Sequence, residues 1–556
     1  MGVQSYKDDL RRLGFKGELD DDAATRDLYS HDASMFELRP ELVARPVDSD
    51  DVSILVAYVA KAKKKDKTIS LTGRSAGTDM SGGAINTSII IDFMTHFNQL
   101  GKITASTMQT QPGVFYRDFD KVSREHGLLL PPYPASRDLA AVGGMVNNNA
   151  GGEKSIEFGK IENFVRELKV VFADGVERTV KPLNRKQLDQ KMAQKDFEGE
   201  VYRKMFKLCD EHYDLIKAAK PKVSKDSTGY HVWNVWDREK EVFDLTQAII
   251  GSQGTLGMLT DITFRMVPAR SDDGILVIFM KDINNLGDLI KKVVASKPSR
   301  FESFDDQTLL LAIRFMPSFL GLLGPRKFLH LIISLIPDVL QLLRGMPKLV
   351  LMVSYKGNNE QEVRAKIHAL HSQLKEYKTT YEINGFEEAP TAQASEKFWL
   401  MRRQSFNLLR SKVKDKHTAP FIDDFVVAPE HLSDFLPKLR KIIRKYKLFA
   451  TIAGHMGDGN FHVIPLMKLE DPKDRAKILP AMREVNNLVL KYGGSLSGEH
   501  NDGLVRGPWL KAMYGEDVLN IMKEVKFIFD PENIFNPKKK TDATWDYSFK
   551  NIREHF

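Results

Sequence analysis

Cysteine is nearly absent: Cys209 is the only one in 556 residues. A single thiol excludes an intrachain disulfide and any four-cysteine iron–sulfur cluster held by this chain alone, and it fits a reducing compartment. Long apolar runs are missing too. The nearest approach, residues 315–343 (FMPSFLGLLGPRKFLHLIISLIPDVLQLL), is broken by Pro317, Pro325, Arg326, Lys327 and Pro337. It breaks before the ~20 apolar residues a spanning helix needs. Two short helices lying in a membrane interface, with Arg314, Arg326, Lys327 and Arg344 near the headgroups, are one reading. A buried helical insertion or a subunit contact is the other. No G-x-G-x-x-G and no G-x-x-x-x-G-K-[ST] occurs, so the usual nicotinamide fingerprint and the P-loop are both absent. No internal repeat or low-complexity linker is present. The start, MGVQSYKDDLRRLGF, has early acidic residues and no apolar h-region, so no secretory signal is expected. Charge of one sign is scarcely in excess: 82 Lys and Arg stand against 74 Asp and Glu, a net +8. That bias is mild, and nucleic acid is not an expected partner. The Lys61–Lys67 cluster and Lys538-Lys539-Lys540 read as solvated faces.

What is present is ordinary in bulk, with 42% apolar and 28% charged residues, and the length suggests two or three domains of ~100–200 residues each. Residues 49–65 read as an amphipathic helix with a Ser/Asp start. Short β-rich runs at Thr68 to Leu71 and Ser88 to Asp92 flank a glycine-rich loop, GRSAGTDMSGGAIN. Consecutive N–H groups in such a loop form a nest for a pyrophosphate, although a plain surface loop has the same composition. ELKVVFADGVERTV reads as a hairpin turning at Asp174-Gly175, and residues 184–220 as helical. The pattern changes near Pro268. From there strands and helices alternate, with helices expected at His431 to Lys447, Asp471 to Tyr492 and Trp509 to Phe529, the last stopped by Asp530-Pro531.

Two short glycine-rich runs hold the most chemistry: His455-Met456-Gly457-Asp458-Gly459-Asn460-Phe461-His462 and Ser497-Gly498-Glu499-His500. Imidazole and carboxylate together are a usual ligand set for zinc or a similar divalent ion. His500, beside the carboxylate, can move protons near neutral pH. A metal and a base in one place suit oxidation of an alcohol; loop glycines with scattered histidines are the plain alternative.

GRSAGTDMSGGAI, PYPASRDLAAVGGMVNNNAGG, GSQGTLGMLT, GHMGDGNFHV, SGEHNDGLVRGP and FDPENIFNPKK occur in this order. Together, over roughly residues 25 to 540, they resemble the FAD-linked oxidase family and its bacterial D-2-hydroxyglutarate and D-lactate dehydrogenase members. The resemblance implies an α+β fold. A two-subdomain vanillyl-alcohol-oxidase-type FAD-binding domain would span residues 1–268, with its pyrophosphate loop at 73–84. A substrate and metal domain with an antiparallel sheet would span 269–510, with the insertion 315–343. A C-terminal helical segment, 511–556, would return to the FAD domain. The ending also looks like the flavin half of longer proteins that continue into an iron–sulfur domain.

Residue by residue, the resemblance places FAD against Arg74, Ser75, Ala76, Gly77, Thr78 and Ser81. It adds Pro134, Ser136, Gly143, Gly144, Asn149, Ala150 and Gly151, and then Gly251, Ser252, Gly254, Thr255 and Gly257. Thr78 stands where some relatives carry a flavin-linked histidine, so the FAD is expected to be non-covalent. Gln253 replaces the usual glutamate. The implied metal ligands, for zinc or manganese, are His455, His462 and Glu499, with His500 as base and Arg402 pairing with a substrate carboxylate. Ile422 stands where some relatives have a second cation, and Asn501 departs from the common G-E-H-G. The activity implied is oxidation of a D-2-hydroxy acid, with lactate, glycolate and 2-hydroxyglutarate all open. Electrons would pass to a quinone or to a separate iron–sulfur or other electron-transfer partner. The setting implied is cytoplasmic, or peripheral on the inner face of the cell membrane through 315–343. A flavoprotein subunit, or an ether-lipid-synthase-like enzyme of the same fold, is the alternative.

Overall fold

The computed structural model describes residues 3–269, 272–306, 308–310, 345–412 and 415–555. The apolar segment 315–343 lies outside the described residues, and so do both readings of it. Among the described residues no helix is long and apolar enough to cross a membrane.

The architecture is α+β, as expected, and rests on three main sheets. In the first, Leu42–Arg45, Ile89–Asp92 and Leu71–Arg74 run parallel, with Glu18–Asp20 antiparallel at the edge. The helix Ser49–Ala62 makes the crossover that parallel strands require. The Asp48 carboxylate accepts the Asp51 N–H at its start, and Val52, Leu55, Val56, Val59 and Ala62 form its buried stripe. The helix ends short of Lys65. The strand expected at Thr68 to Leu71 begins only at Leu71, where pairing with Ile89 sets the register.

The second sheet is antiparallel: Leu100–Ile103, Thr107–Thr110, Met258–Arg265, Val165–Val171 and Glu177–Val180. Its last two strands are the hairpin read from the sequence, turning through Gly175 at φ +79°.

The third sheet has eight strands in antiparallel pairs. Its path runs Ile383–Ala389, Asp272–Met280, Leu349–Gly357, Arg300–Asp305, Phe449–His455, Asn460–Met467 and His417–Thr418, and Phe425–Val426 also pairs with Asn460–Met467. Leu276, Ile278, Phe301, Leu351 and Val353 share a core with residues of the helices Leu286–Ala295, Glu360–Glu376, Leu432–Lys445 and Ile478–Lys491. Val277, Phe304, Val350 and Met352 pack instead with Phe398, Trp399 and Met401 of the helix Ala392–Lys412. Alternation along Arg300–Asp305 puts Arg300 and Glu302 on the Phe304 side.

The stretch expected as one helix from Asp471 to Tyr492 is two, Pro472–Arg475 and Ile478–Lys491. The helix Leu510–Phe529 is interrupted at Gly515, φ +79°. Val518, Met522, Val525 and Phe529 join the core of the second sheet, and Ile534 and Phe535 that of the first. Two lysine runs depart from the sequence reading in part: Lys61, Lys64, Lys65, Lys67 and Lys538 are exposed as expected, while Lys63, Lys539 and Lys540 are buried. Lys539 and Lys540 are 2% and 0% exposed, not solvated. The Lys540 ammonium reaches Asn501 Oδ1 at 2.6 Å and Asp502 at 2.7 Å, partners far away in sequence. Lys63 is buried as well, donating to the Ile69 carbonyl at 2.8 Å.

Candidate active site

A β-hairpin sets the first two histidines. In the pairing of Phe449–His455 with Asn460–Met467, Ala453 faces His462 and His455 faces Asn460. His455 and His462 therefore project from the same face, with ring centroids 5.4 Å apart. The turn between them needs Gly459: its φ is +65°, and a Cβ there would lie 1.9 Å from the Val427 carbonyl oxygen.

A buried carboxylate shapes the second run. Asp424, itself at φ +69°, accepts the N–H groups of Glu499 (3.0 Å) and His500 (2.7 Å), the Ser497 hydroxyl (2.5 Å) and the Asn460 amide (3.1 Å). Asp424, His462, Glu499 and His500 lie close enough to share an ion. The Asp424 oxygens are already committed to these donors, so Asp424 shapes the loop and leaves ligation to its neighbours.

The imidazoles converge on one oxygen. Glu499 Oε1 is 3.4 Å from His455 Nε2, 3.3 Å from His462 Nε2 and 4.0 Å from His500 Nε2. Each ring has a carboxylate behind its other nitrogen. Glu302 is 2.5 Å from His455 Nδ1, and Asp423 Oδ1 is 3.2 Å from His462 Nδ1. Asp423 Oδ2 is 2.8 Å from His500 Nδ1, close but poorly aligned for a hydrogen bond. A carboxylate behind Nδ1 holds a proton there, so that the ring, once neutral, keeps its Nε2 lone pair toward the centre. His462 and His500 stack with centroids 5.0 Å apart.

Charge is balanced locally. Burial alone would lower the His462 pKa, but Asp423 and Glu499 outweigh it and raise it to about 10. His455 and His500 are raised in the same way against burial, by Glu302 and by the Asp423–Asp424 pair respectively. Burial would raise Glu499, but Lys225 and the imidazoles hold it well below the usual carboxylate range. The side chains of His455 and Glu499 are 6% and 3% exposed, those of His462 and His500 16% and 19%, so the centre opens on the His462–His500 side. Imidazoles and a carboxylate converging in this way fit a divalent cation: His462, Glu499 and His500 have ligand atoms within mutual reach of one ion, and His455, expected as a ligand, stands 3.4 Å from Glu499 Oε1 outside that group.

Arg402 is brought to the same place. Its guanidinium is 3.3 Å from Glu302, the carboxylate behind His455, and its Nε is buried without a partner among the described residues.

The glycine-rich loop offers donors of another kind. The N–H groups of Ser75, Ala76, Gly77 and Thr78 make no hydrogen bond within the described chain. Such a row of unpaired, part-buried donors fits a pyrophosphate. Arg74 stacks over Tyr29 beside it, and Gly144 lies against Ser75. Ser252 adds a buried hydroxyl without a partner among the described residues. Gly143 is wedged against Pro112, Gly257 packs on Val170, and Gly254 faces open space.

Several of the expected cofactor side chains are committed to the protein. Ser81 is fully buried between Asp79 (2.8 Å) and Gln253 (2.9 Å). Asn149 bonds Glu162 at 2.6 Å, and Thr255 bonds the Ser252 carbonyl at 2.7 Å. Pro134 and Ser136 contribute carbonyls to a local turn. Ala150 is buried, and Gly151 runs past the centre: a Cβ on it would lie 3.2 Å from Glu499 Oε2. Gly251 links the two sides, its carbonyl accepting the Asn501 amide at 2.8 Å.

Sequence reasoning missed Glu302, Asp423, Asp424 and Lys225. The tandem Asp423-Asp424 inside the apolar run FIDDFVV was a readable signal, since buried acids need partners; for Glu302 and Lys225 there was none.

Comparison with known proteins gives the family. Residues 40–181 match the family model described as FAD binding domain, and residues 272–540 the one described as FAD linked oxidases, C-terminal domain. The chain is 28% identical to a D-2-hydroxyglutarate dehydrogenase of Pseudomonas putida, over 95% of this chain and 51% of that protein. It thus spans about half the length of that relative. It is 24% identical to the glycolate oxidase subunit GlcD of Bacillus subtilis, over 97% of both chains. Among solved structures it resembles an alkyldihydroxyacetonephosphate synthase (TM-score 0.64, 15% identity, 96% of this chain and 85% of that one). It also resembles p-cresol methylhydroxylase (TM-score 0.64, 13% identity, 98% and 96%). These last two likenesses are of fold alone. With both domain models matched in order along it, the chain belongs to the FAD-linked oxidase family.

Proposed function

We propose that this chain oxidises a D-2-hydroxy acid to the 2-oxo acid, with non-covalently bound FAD as the immediate acceptor and a zinc or manganese ion at the His455, His462 and Glu499 set. The observation that carries it is the convergence of three imidazoles on Glu499, directly beside Gly151 of the FAD-side segment. When bound, the cation would supply acidity to the substrate hydroxyl and FAD would supply the acceptor for the α-hydrogen as hydride.

The chain's own residues do the rest. Arg402 binds the substrate carboxylate, its guanidinium steadied by Glu302. Glu302 also braces His455, so carboxylate binding and the cation set share one support. His500 takes the hydroxyl proton at Nε2, and Asp423 behind its Nδ1 stabilises the imidazolium that results. The partly exposed His462–His500 edge is where substrate enters. Electrons leave afterwards to a quinone or to a separate electron-transfer partner. The D-2-hydroxyglutarate dehydrogenase and glycolate oxidase relatives support the reaction class.

The test is anaerobic bleaching of the bound flavin by D- and L-lactate, glycolate and D- and L-2-hydroxyglutarate. Bleaching by a D-acid or by glycolate, lost on removing the cation, is the expected result. A flavin-loaded protein that none of these acids reduces would overturn the reading.

A further inference from the structure

Lys225 has no role in the scheme above, yet its side chain is completely buried. Its ammonium lies 3.2 Å from the Gly152 carbonyl, 3.4 Å from Asp458, 3.4 Å from Asn460 Oδ1 and 3.5 Å from Glu499 Oε2. Those oxygens come from three places: the segment after Gly151, the turn between His455 and His462, and the Glu499 loop. No other cation is paired with Glu499 among the described residues except the imidazoles.

The two oxygens of Glu499 therefore have different duties. Oε1 faces the imidazoles. Oε2 faces Lys225 on one side and the bare backbone of Gly151 on the other, where a Cβ would lie 3.2 Å away. Turning the carboxylate to offer both oxygens to an ion would strip the ammonium of a partner where its side chain is completely buried. A fixed positive charge behind a metal-ligating carboxylate also draws electron density from it and repels a second cation across it.

We propose that Lys225 is a positioning residue that holds Glu499 to one-oxygen ligation and deliberately weakens the grip on the divalent cation, leaving that cation a stronger pull on the substrate hydroxyl. The inference rests on the cation reading above but not on the identity of the substrate.

It is tested on the FAD-loaded full chain by chelator competition for zinc and for manganese, comparing the unaltered protein with Lys225→Met, Lys225→Gln and Lys225→Arg. The neutral variants are expected to hold the cation about tenfold or more tightly, an effect of the size that outer-shell partners exert but of the opposite sign to a lost support. Their pH profile for flavin reduction shifts to higher pH, since the hydroxyl is acidified less. Lys225→Arg, which keeps the charge, stays near the unaltered affinity. Weaker or unchanged cation binding in the folded neutral variants overturns the role of Lys225, and so does failure of both to fold, which marks a plain structural charge. Absence of cation binding by the unaltered protein overturns the centre itself and the inference with it. Cation binding without bleaching by any 2-hydroxy acid leaves the affinity comparison intact and overturns only the substrate reading.

Discussion

Replacing Asp423 by Asn changes one atom and breaks the logic of two imidazoles. The carboxylate faces His462 Nδ1 and His500 Nδ1 at once, whereas an amide can accept from only one. The other ring must then carry its proton on Nε2, where no lone pair is left for a cation or for a substrate proton. Asp423→Asn should lower cation affinity by about 10- to 100-fold and slow anaerobic flavin reduction with little loss of FAD. Stopped-flow absorbance and chelator titration check both.

The same residues set a pH dependence. The raised pKa of His462, about 10, means that the cation-free ring is protonated at neutral pH. A cation must displace that proton, so affinity should rise by up to about tenfold per pH unit for each proton released. Calorimetry in buffers of different ionisation heat reads that release. In the cation-free protein the sign is reversed. The stability gained from the His462 proton is complete below the ordinary imidazole pKa and is lost as pH rises toward about 10.

His455, His462, Glu499 and His500 were legible because each pair sits within one short glycine-rich run. Of their supports, only the tandem Asp423-Asp424 left a mark in the sequence. Glu302 lies 153 positions from His455 in the chain, Asp423 lies 39 from His462, and Lys225 lies 274 from Glu499. Nothing in a strand acid or a loop lysine marks which distant ring it will meet.

At the scale of elements, the hairpin between the two histidines is the most exacting piece. Gly459 has a left-handed φ and no room for a Cβ against Val427. Gly459→Ala should destabilise the fold by at least ~2 kcal/mol through backbone strain alone and should splay His455 from His462. A lower melting temperature together with weaker cation binding is the expected pair of readouts. Local elements were largely readable: the capped helix Ser49–Ala62 and the hairpin at Asp174-Gly175 follow from caps, stripes and turn chemistry. Their ends were less so, because partners outside the element set them, as Ile89 does for Leu71. The break in the stretch from Asp471 to Tyr492 and the kink at Gly515 left no periodic signal strong enough to place them.

Across the whole molecule, the stretch after the helix Leu510–Phe529 supports the site from behind. Lys540 and Asp502 form a pair with both side chains fully buried, and Lys540 also holds Asn501, next to His500. Lys540→Met would leave Asp502 buried without its charge partner, a change that costs about 3–5 kcal/mol. Thermal or urea unfolding should show that loss, with FAD content falling as Asn501 slackens on Gly251. This tie could not be read in advance: a run of three lysines has the composition of a solvated face, and only the fold-back of the chain buries Lys539 and Lys540.

The uneven exposure of the centre sets an order of events. His455 and Glu499 are sealed, and only the edge of His462 and His500 meets solvent. One doorway then serves two visitors. On the proposed function, an ion would have to pass this edge before the acid, and an acid seated on Arg402 would close the way out behind it until product leaves.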